Sequence, residues 1–140
     1  MKIIPAENCA ICQLHLDPTA QERYEIQRSE LWVLRHHPDP APLPGWLLLN
    51  SRRYCSGPVD FTAAESSDWG CAVQDASDLV KQISGCERVY AIAFGEGAQH
   101  LHLHLIPRHL NEPAGSFRWR GMRWRSVSYT HLTLPTICSV

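Results

Sequence analysis

The chain has 140 residues and a mass of 15.9 kDa, with 44% apolar and 19% charged residues, values typical of one globular domain with its own core. Its 13 Lys and Arg against 14 Asp and Glu give a formal charge of −1, without the basic excess of proteins that bind nucleic acid or anionic membranes. No apolar run reaches the roughly 18 residues of a membrane span, and residues 1–7 have no signal-peptide core. We therefore expect a cytoplasmic protein with reduced cysteines, no membrane contact and no stable nucleic-acid partner.

The elements predicted first are short strands. A weak strand near residues 24–26 is followed by apolar runs at 31–34 and 46–49. The Pro-rich loop 38–45 between these two runs reverses the chain, which predicts that the two strands are neighbours.

A long helix is predicted next, from Thr62 to the Ser84-Gly85 pair. The hydroxyl of Thr62 is placed to cap the free amides of the first turn, and Glu65 follows three residues later, the capping-box pattern. Apolar residues at three- and four-residue spacing form a stripe that we expect to pack on a sheet: Trp69, Ala72, Val73, Ala76, Leu79, Val80 and Ile83. Strands at 89–94 and in the segment after residue 99 complete an α+β domain with a mainly antiparallel sheet.

The segment His100-Leu101-His102-Leu103-His104-Leu105-Ile106-Pro107-Arg108 carries the chemistry. Because the side-chain period of a strand is two, the three histidines should share one face and the leucines the other. Grouped imidazoles disfavour each other's protonation, so they tend to stay neutral. A neutral imidazole is a competent nucleophile or metal ligand, and this alternating pattern is far more specific than a single surface histidine.

This run resembles the His-φ-His-φ-His-φ-φ signature of the histidine-triad (HIT) family of nucleotide hydrolases and transferases. The similar layout extends over residues 9–108: a Cys-x-x-Cys, a Pro-rich loop ending in Gly, an aliphatic strand, a long helix, and then strand, loop and triad. The resemblance implies an α+β fold with a mainly antiparallel five-stranded sheet, one long helix and a shorter helical segment. It also implies a homodimer that joins two such sheets.

By this resemblance His102 is the nucleophile, which attacks the α-phosphate of a nucleotide phosphoramidate, dinucleoside polyphosphate or related ester. A nucleotidyl-histidine intermediate forms, and water releases the monophosphate, with no cofactor required for the chemistry. The candidate phosphate- or substrate-binding residues are His100, His104, Glu96, Gln99 and Arg108.

Two positions depart from the family pattern. Glu96 stands where many members carry a Gln, and its carboxylate would repel a polyphosphate. Trp46 stands where many members carry a His, so we expect it to pack or to stack a base. These departures leave open a nucleotide-binding module without turnover. A metal enzyme that holds one ion with all three histidines is disfavoured, because a strand spreads them over about 13 Å.

A structural zinc site is a further expectation, at Cys9, Cys12 and His100. The Cys9-x-x-Cys12 spacing is typical of zinc ligands, and in zinc-bearing relatives the first triad histidine also binds the metal. The remaining ligand place of those relatives corresponds to Tyr54, so the set would need Cys55 or His15; the alternative is two reduced thiols. The other histidines, His36, His37 and His109, are interpreted as solvated loop residues.

The last segment is kept out of the fold prediction. Residues 127–136 resemble the translation of a transposon-type library adapter, and residues 137–140 would then be a sample index. We therefore expect a HIT-like domain at residues 1–126, an artefact at 127–140, and a native gene that continues past about Ser126. The alternative is an ordinary Thr-rich strand, and sequencing of the source locus separates the two.

Overall fold

A computed structural model describes residues 7–111 of the chain, so the expected adapter-derived segment lies outside the described residues. The elements in chain order are α1 (Ala10–Leu16), α2 (Pro18–Tyr24), β1 (Glu25–Arg28), β2 (Trp32–His36), β3 (Leu47–Ser51), a short 3-10 helix (Pro58–Asp60), α3 (Ala63–Ser84), β4 (Arg88–Ala93) and β5 (His102–Arg108). Within residues 7–111, no helix combines the length and apolarity needed to cross a membrane.

The five strands form one sheet in the order β1-β2-β3-β5-β4, and every neighbouring pair is antiparallel. This confirms the predicted α+β class and the antiparallel five-stranded sheet. The first strand begins later than the sequence predicted, because residues 18–24 form α2 instead. Pro18 occupies the first turn of α2, and the Asp17 carboxylate accepts a hydrogen bond from the Thr19 amide at 2.9 Å.

The long helix α3 has the predicted ends. The Thr62 hydroxyl accepts from the Glu65 amide at 3.2 Å and donates to the Glu65 carboxylate at 3.0 Å. Gly85 ends the helix in the left-handed conformation, at φ +67°. Both ends are therefore set by local sequence.

The main core lies between α3 and one face of the sheet. Ala76 and Val80 of α3 are buried against leucines of β2, β3 and β5: Leu34, Leu47, Leu49, Leu103 and Leu105. The predicted stripe is wrong at its end, since Ile83 is 50% exposed and lies beside Gly45. The opposite face carries a smaller cluster of Trp46, Leu48 and Ile106, and beside it lie the histidines.

Candidate active site

The triad spans the start of β5. His102 and His104 belong to the strand, whereas His100 precedes it by two residues. The prediction that all three histidines lie in one strand is therefore wrong for His100. The Leu101 amide donates to the Cys55 carbonyl at 2.8 Å, outside the β3–β5 ladder. The alternation of sides persists, because Leu101 is buried in the main core together with Leu103 and Leu105.

The middle histidine has a defined protonation site. Nδ1 of His102 lies 2.7 Å from the backbone carbonyl of His100. A carbonyl only accepts, so Nδ1 carries a proton and donates it. In the neutral ring, Nε2 of His102 then holds the lone pair, as a nucleophile requires. The ring is half-buried.

The third histidine is oriented by Trp46. The indole Nε1–H of Trp46 donates to Nδ1 of His104 at 3.1 Å, and the two histidine ring centroids, of His102 and His104, are 5.2 Å apart. Burial, together with the neighbouring His102 and His37, lowers the pKa of His104 to about 3. His104 is therefore neutral at physiological pH.

The first histidine faces the two N-terminal cysteines. Nδ1 of His100 lies 3.6 Å from Sγ of Cys9 and 3.3 Å from Sγ of Cys12, while Nε2 donates to the Ser51 carbonyl at 2.6 Å. Burial also lowers the pKa of His100. The two Sγ atoms and Nδ1 of His100 lie within 4.8 Å of one another. In the described part of the chain, this is the one group of three side chains arranged to hold a metal ion.

Neither residue expected to complete a metal site joins these donors. His15 donates from Nε2 to the Ser51 carbonyl at 3.0 Å, and its Nδ1 accepts from Arg35 at 2.5 Å, so both nitrogens are engaged. Burial lowers the pKa of His15 to about 4. Cys55 is buried in the main core, with Sγ 3.4 Å from the Ser51 hydroxyl. Tyr54 instead lies against His100, with ring centroids 5.4 Å apart.

The remaining candidate residues lie in the loop before the triad or at the far end of β5. Glu96 is exposed in the loop between β4 and β5. Gln99 is also exposed, and its Oε1 accepts from the Tyr54 hydroxyl at 3.5 Å. Arg108 ends β5 opposite Arg88; six strand residues place it about 20 Å from His102.

Two residues near the triad make contacts that the sequence did not predict. Trp46 packs as expected and is only 2% exposed, but its hydrogen bond to His104 had no local signal. His37, interpreted as solvated, is half-buried: its ring lies 5.4 Å from Trp46 and 6.2 Å from His104, and its Nδ1 donates to the Pro38 carbonyl at 2.8 Å. No periodicity in a Pro-rich loop would have revealed these contacts.

A cavity of about 270 Å³ opens next to this aromatic pair. Its walls include Arg23, Tyr24 and Asp39 together with Trp46 and His37. A larger cavity, of about 350 Å³, lies between α3 and the strands β1 and β2. Residues of the smaller of these two cavities contact His104. A third cavity, of about 230 Å³, is lined by Cys9 and Tyr54, which contact His100.

Comparison with known proteins identifies the fold. No protein-family model and no curated protein matches the chain in sequence. In structure, it is similar to a HIT family protein from Bacillus subtilis, with TM-score 0.62 and 17% identity over 75% of this chain and 76% of that one. A histidine triad protein from Bradyrhizobium japonicum gives TM-score 0.59 and 23% identity over 77% and 81% of the two chains. A HIT family hydrolase from Clostridium thermocellum gives 0.56 and 17%, over 78% and 97%. The chain has the fold of HIT family proteins.

Proposed function

We propose that the chain is a cytoplasmic nucleotidyl hydrolase or transferase of the histidine-triad type, with His102 as the nucleophile. The observation that carries the proposal is the 2.7 Å hydrogen bond from Nδ1 of His102 to the His100 carbonyl, which puts the lone pair on Nε2. The similarity in fold to proteins named for the histidine triad, and to one named a hydrolase, supports it.

The chemistry has two steps. In the first, the Nε2 lone pair of His102 forms a bond to the α-phosphorus, and the bond from phosphorus to the leaving group breaks with its electron pair going to the leaving group. The ring becomes positive, and the His100 carbonyl stabilises it by accepting from Nδ1–H. In the second, a water oxygen attacks phosphorus, the P–N bond returns its electron pair to Nε2, and the water proton passes to solvent.

The cavity beside Trp46 is the proposed place of the nucleoside. Two residues of its wall, Trp46 and His37, contact His104. The wall also contains the ring of Tyr24 and an exposed Arg23–Asp39 ion pair at 2.6 Å. Aromatic and hydrogen-bonding groups of this kind suit a base and a ribose. Gln99 is proposed to contact the substrate from the other side of His102, and Arg108 is proposed to contact it from a second subunit. The His100 ring is not proposed to bind phosphate, because it is fully buried, with Nε2 on the Ser51 carbonyl and Nδ1 facing the thiols.

Monophosphate release tests the proposal. The chain and His102→Ala, both confirmed as folded by circular dichroism, are incubated with adenosine phosphoramidate, a diadenosine polyphosphate and adenylyl sulfate. Release by the chain that is lost in the variant is expected. Nucleotide binding without release would instead favour the second candidate function, a nucleotide-binding module without turnover. The observation that motivates this candidate is the exposed carboxylate of Glu96 before the triad.

We further propose a structural zinc ion held by Cys9, Cys12 and His100. The Nδ1–Sγ separations of 3.6 and 3.3 Å match neighbouring donors around a tetrahedral zinc, about 3.5 Å apart. The Ser51 carbonyl fixes the tautomer of His100 so that Nδ1 faces the thiols, as outer partners of metal-bound histidines do. The three residues therefore fit zinc, which would tie the N-terminal helix to the start of β5.

A homodimer is the last part of the proposal. β4 is one of the two edge strands of the sheet, with β1 at the other side, and among the described strands it pairs with β5 alone. Its outer edge is therefore suited to adding a strand. In the dimer expected from the family resemblance, two sheets join. Light scattering at micromolar concentration should give twice the chain mass, and a mass of one chain would contradict the dimer.

A further inference from the structure

We propose that Trp46 is a positioning residue, which holds His104 as a fixed hydrogen-bond donor to the phosphoryl group; this role rests on the proposed function. The contact that carries it joins two buried side chains 58 residues apart in the sequence. Nothing in the triad motif itself specifies a partner for the third histidine.

The indole is held rigidly. Trp46 is 2% exposed and packs in one cluster with Leu48 and Ile106. Its backbone amide donates to the Leu43 carbonyl at 3.3 Å, and its carbonyl accepts from the His37 amide at 3.0 Å. The ring of His37 covers it edge to face at 5.4 Å. An indole fixed in this way gives its N–H a single direction, toward Nδ1 of His104.

The direction of that hydrogen bond determines where His104 carries its proton. An indole nitrogen only donates, so Nδ1 of His104 must accept, and the single proton of the neutral ring is on Nε2. Protonation at Nδ1 would set two N–H groups against each other, in a buried place where, among residues 7–111, His102 and His37 are the titratable neighbours. Adjacent rings therefore carry opposite groups: a lone pair at Nε2 of His102 and an N–H at the buried Nε2 of His104.

This pair of groups suits the charge that develops in the reaction. As His102 attacks, negative charge grows on the phosphoryl oxygens, and a pre-oriented donor stabilises the transition state more than the ground state. Trp46 would thus act on kcat through the ring of His104. Because Trp46→Phe keeps an aromatic ring in the wall of the nucleoside cavity, KM should change less than kcat.

The test compares Trp46→Phe with a matched packing control, Ile106→Val, from the same buried cluster. Phenylalanine keeps an aromatic ring and removes the N–H. Histidine-labelled protein is examined by 15N NMR, with the His104 signals assigned from their loss in His104→Gln. Nitrogen shifts distinguish a protonated from an unprotonated ring nitrogen in each protein, independently of any activity.

In the wild type we expect Nδ1 of His104 unprotonated and Nε2 protonated. In Trp46→Phe the Nδ1-protonated tautomer of His104 should appear. The kcat should fall about tenfold, because the variant loses the effect of one hydrogen bond. Ile106→Val should keep the wild-type tautomer. A wild-type His104 protonated at Nδ1, or a Trp46→Phe spectrum identical to wild type, would overturn the proposal. Absence of monophosphate release by the wild type would refute the proposed function, while the NMR result would still decide whether Trp46 sets the tautomer.

Discussion

Nδ1 of His102 donates to the backbone carbonyl of His100, 2.7 Å away and two residues earlier in the chain. The same residue, His100, turns its own side chain toward Cys9 and Cys12. One residue therefore links the proposed nucleophile through its backbone and the proposed zinc site through its ring. Because a charge-assisted hydrogen bond is stronger than a neutral one, the carbonyl contact should strengthen as the His102 ring becomes positive.

A covalent intermediate on His102 is the first prediction. With substrate carrying a labelled α-phosphate, label should attach to the denatured protein after an alkaline quench, which preserves a P–N bond. His102→Asn removes the nucleophile, so labelling should vanish and turnover should fall at least about 1,000-fold. His109→Asn, outside the triad, is the control and should label normally. Equal labelling of His102→Asn would place the nucleophile elsewhere.

The burial of His104 predicts that the fold is destabilised by acid. Its pKa is about 3 in the folded chain and 6.5 in the unfolded one, so between these values the unfolded state alone binds the proton. Stability contributed by this group is fully present above pH 6.5 and is lost as pH falls toward 3. The free energy of unfolding should drop by about 2 kcal/mol between pH 7.5 and 5 from His104 alone.

Urea unfolding at the two pH values measures this effect. His104→Asn cannot titrate in this range, so its loss of stability between pH 7.5 and 5 should be smaller than that of the wild type by about 2 kcal/mol. Equal pH dependence in the two proteins would mean that the folded chain protonates His104 readily, against the burial of its ring.

The parts of the structure that the sequence predicted are those that local rules determine. Thr62, Glu65 and Gly85 set the ends of α3 through contacts within a few residues, and the alternation after residue 100 sorted leucines from histidines. The site contacts are different, because His100 and Cys9 are 91 residues apart and Trp46 and His104 are 58 apart. The first pair was predicted through the family resemblance alone, and the second was not predicted. Such pairs depend on strand order, which periodicity does not encode.

The proposed zinc site predicts a gain of affinity on Tyr54→His. The ring of Tyr54 lies 5.4 Å from that of His100 and packs beside the two cysteines, so a histidine there would add a fourth ligand to three. Zinc affinity, measured by competition with a chromogenic chelator, should rise at least about tenfold. Cys12→Ser should instead weaken binding.

Cys55→Ala serves as the control for the zinc measurements, since Cys55 is buried in the main core away from the donor cluster. Its affinity and its stoichiometry of one zinc per chain should match the wild type. A loss of zinc in Cys55→Ala, or no zinc in the wild type under reducing conditions, would contradict the assignment of Cys9, Cys12 and His100.

The tautomer of His104 predicts which leaving groups the site favours. With Nδ1 facing the Trp46 N–H, His104 would have to become an anion to give up its Nε2 proton, so it donates a hydrogen bond but transfers no proton. A phosphate departs as an anion and needs none, whereas an amine does. Monophosphate release at pH 7.5 should therefore be at least about tenfold faster from a diadenosine polyphosphate than from adenosine phosphoramidate.

The pH profile separates this explanation from a simple preference in binding. Because only solvent would supply the proton to an amine, the ratio of kcat for the phosphoramidate to kcat for the polyphosphate should rise as pH falls from 7.5 to 6. The nucleophile is the same in both reactions, so its own contribution to the pH dependence cancels in this ratio. Both substrates share the adenylyl group, so differences in nucleoside binding cancel. Faster release from the phosphoramidate at pH 7.5 would show that a protein group protonates the leaving amine, which a His104 fixed by Trp46 does not do.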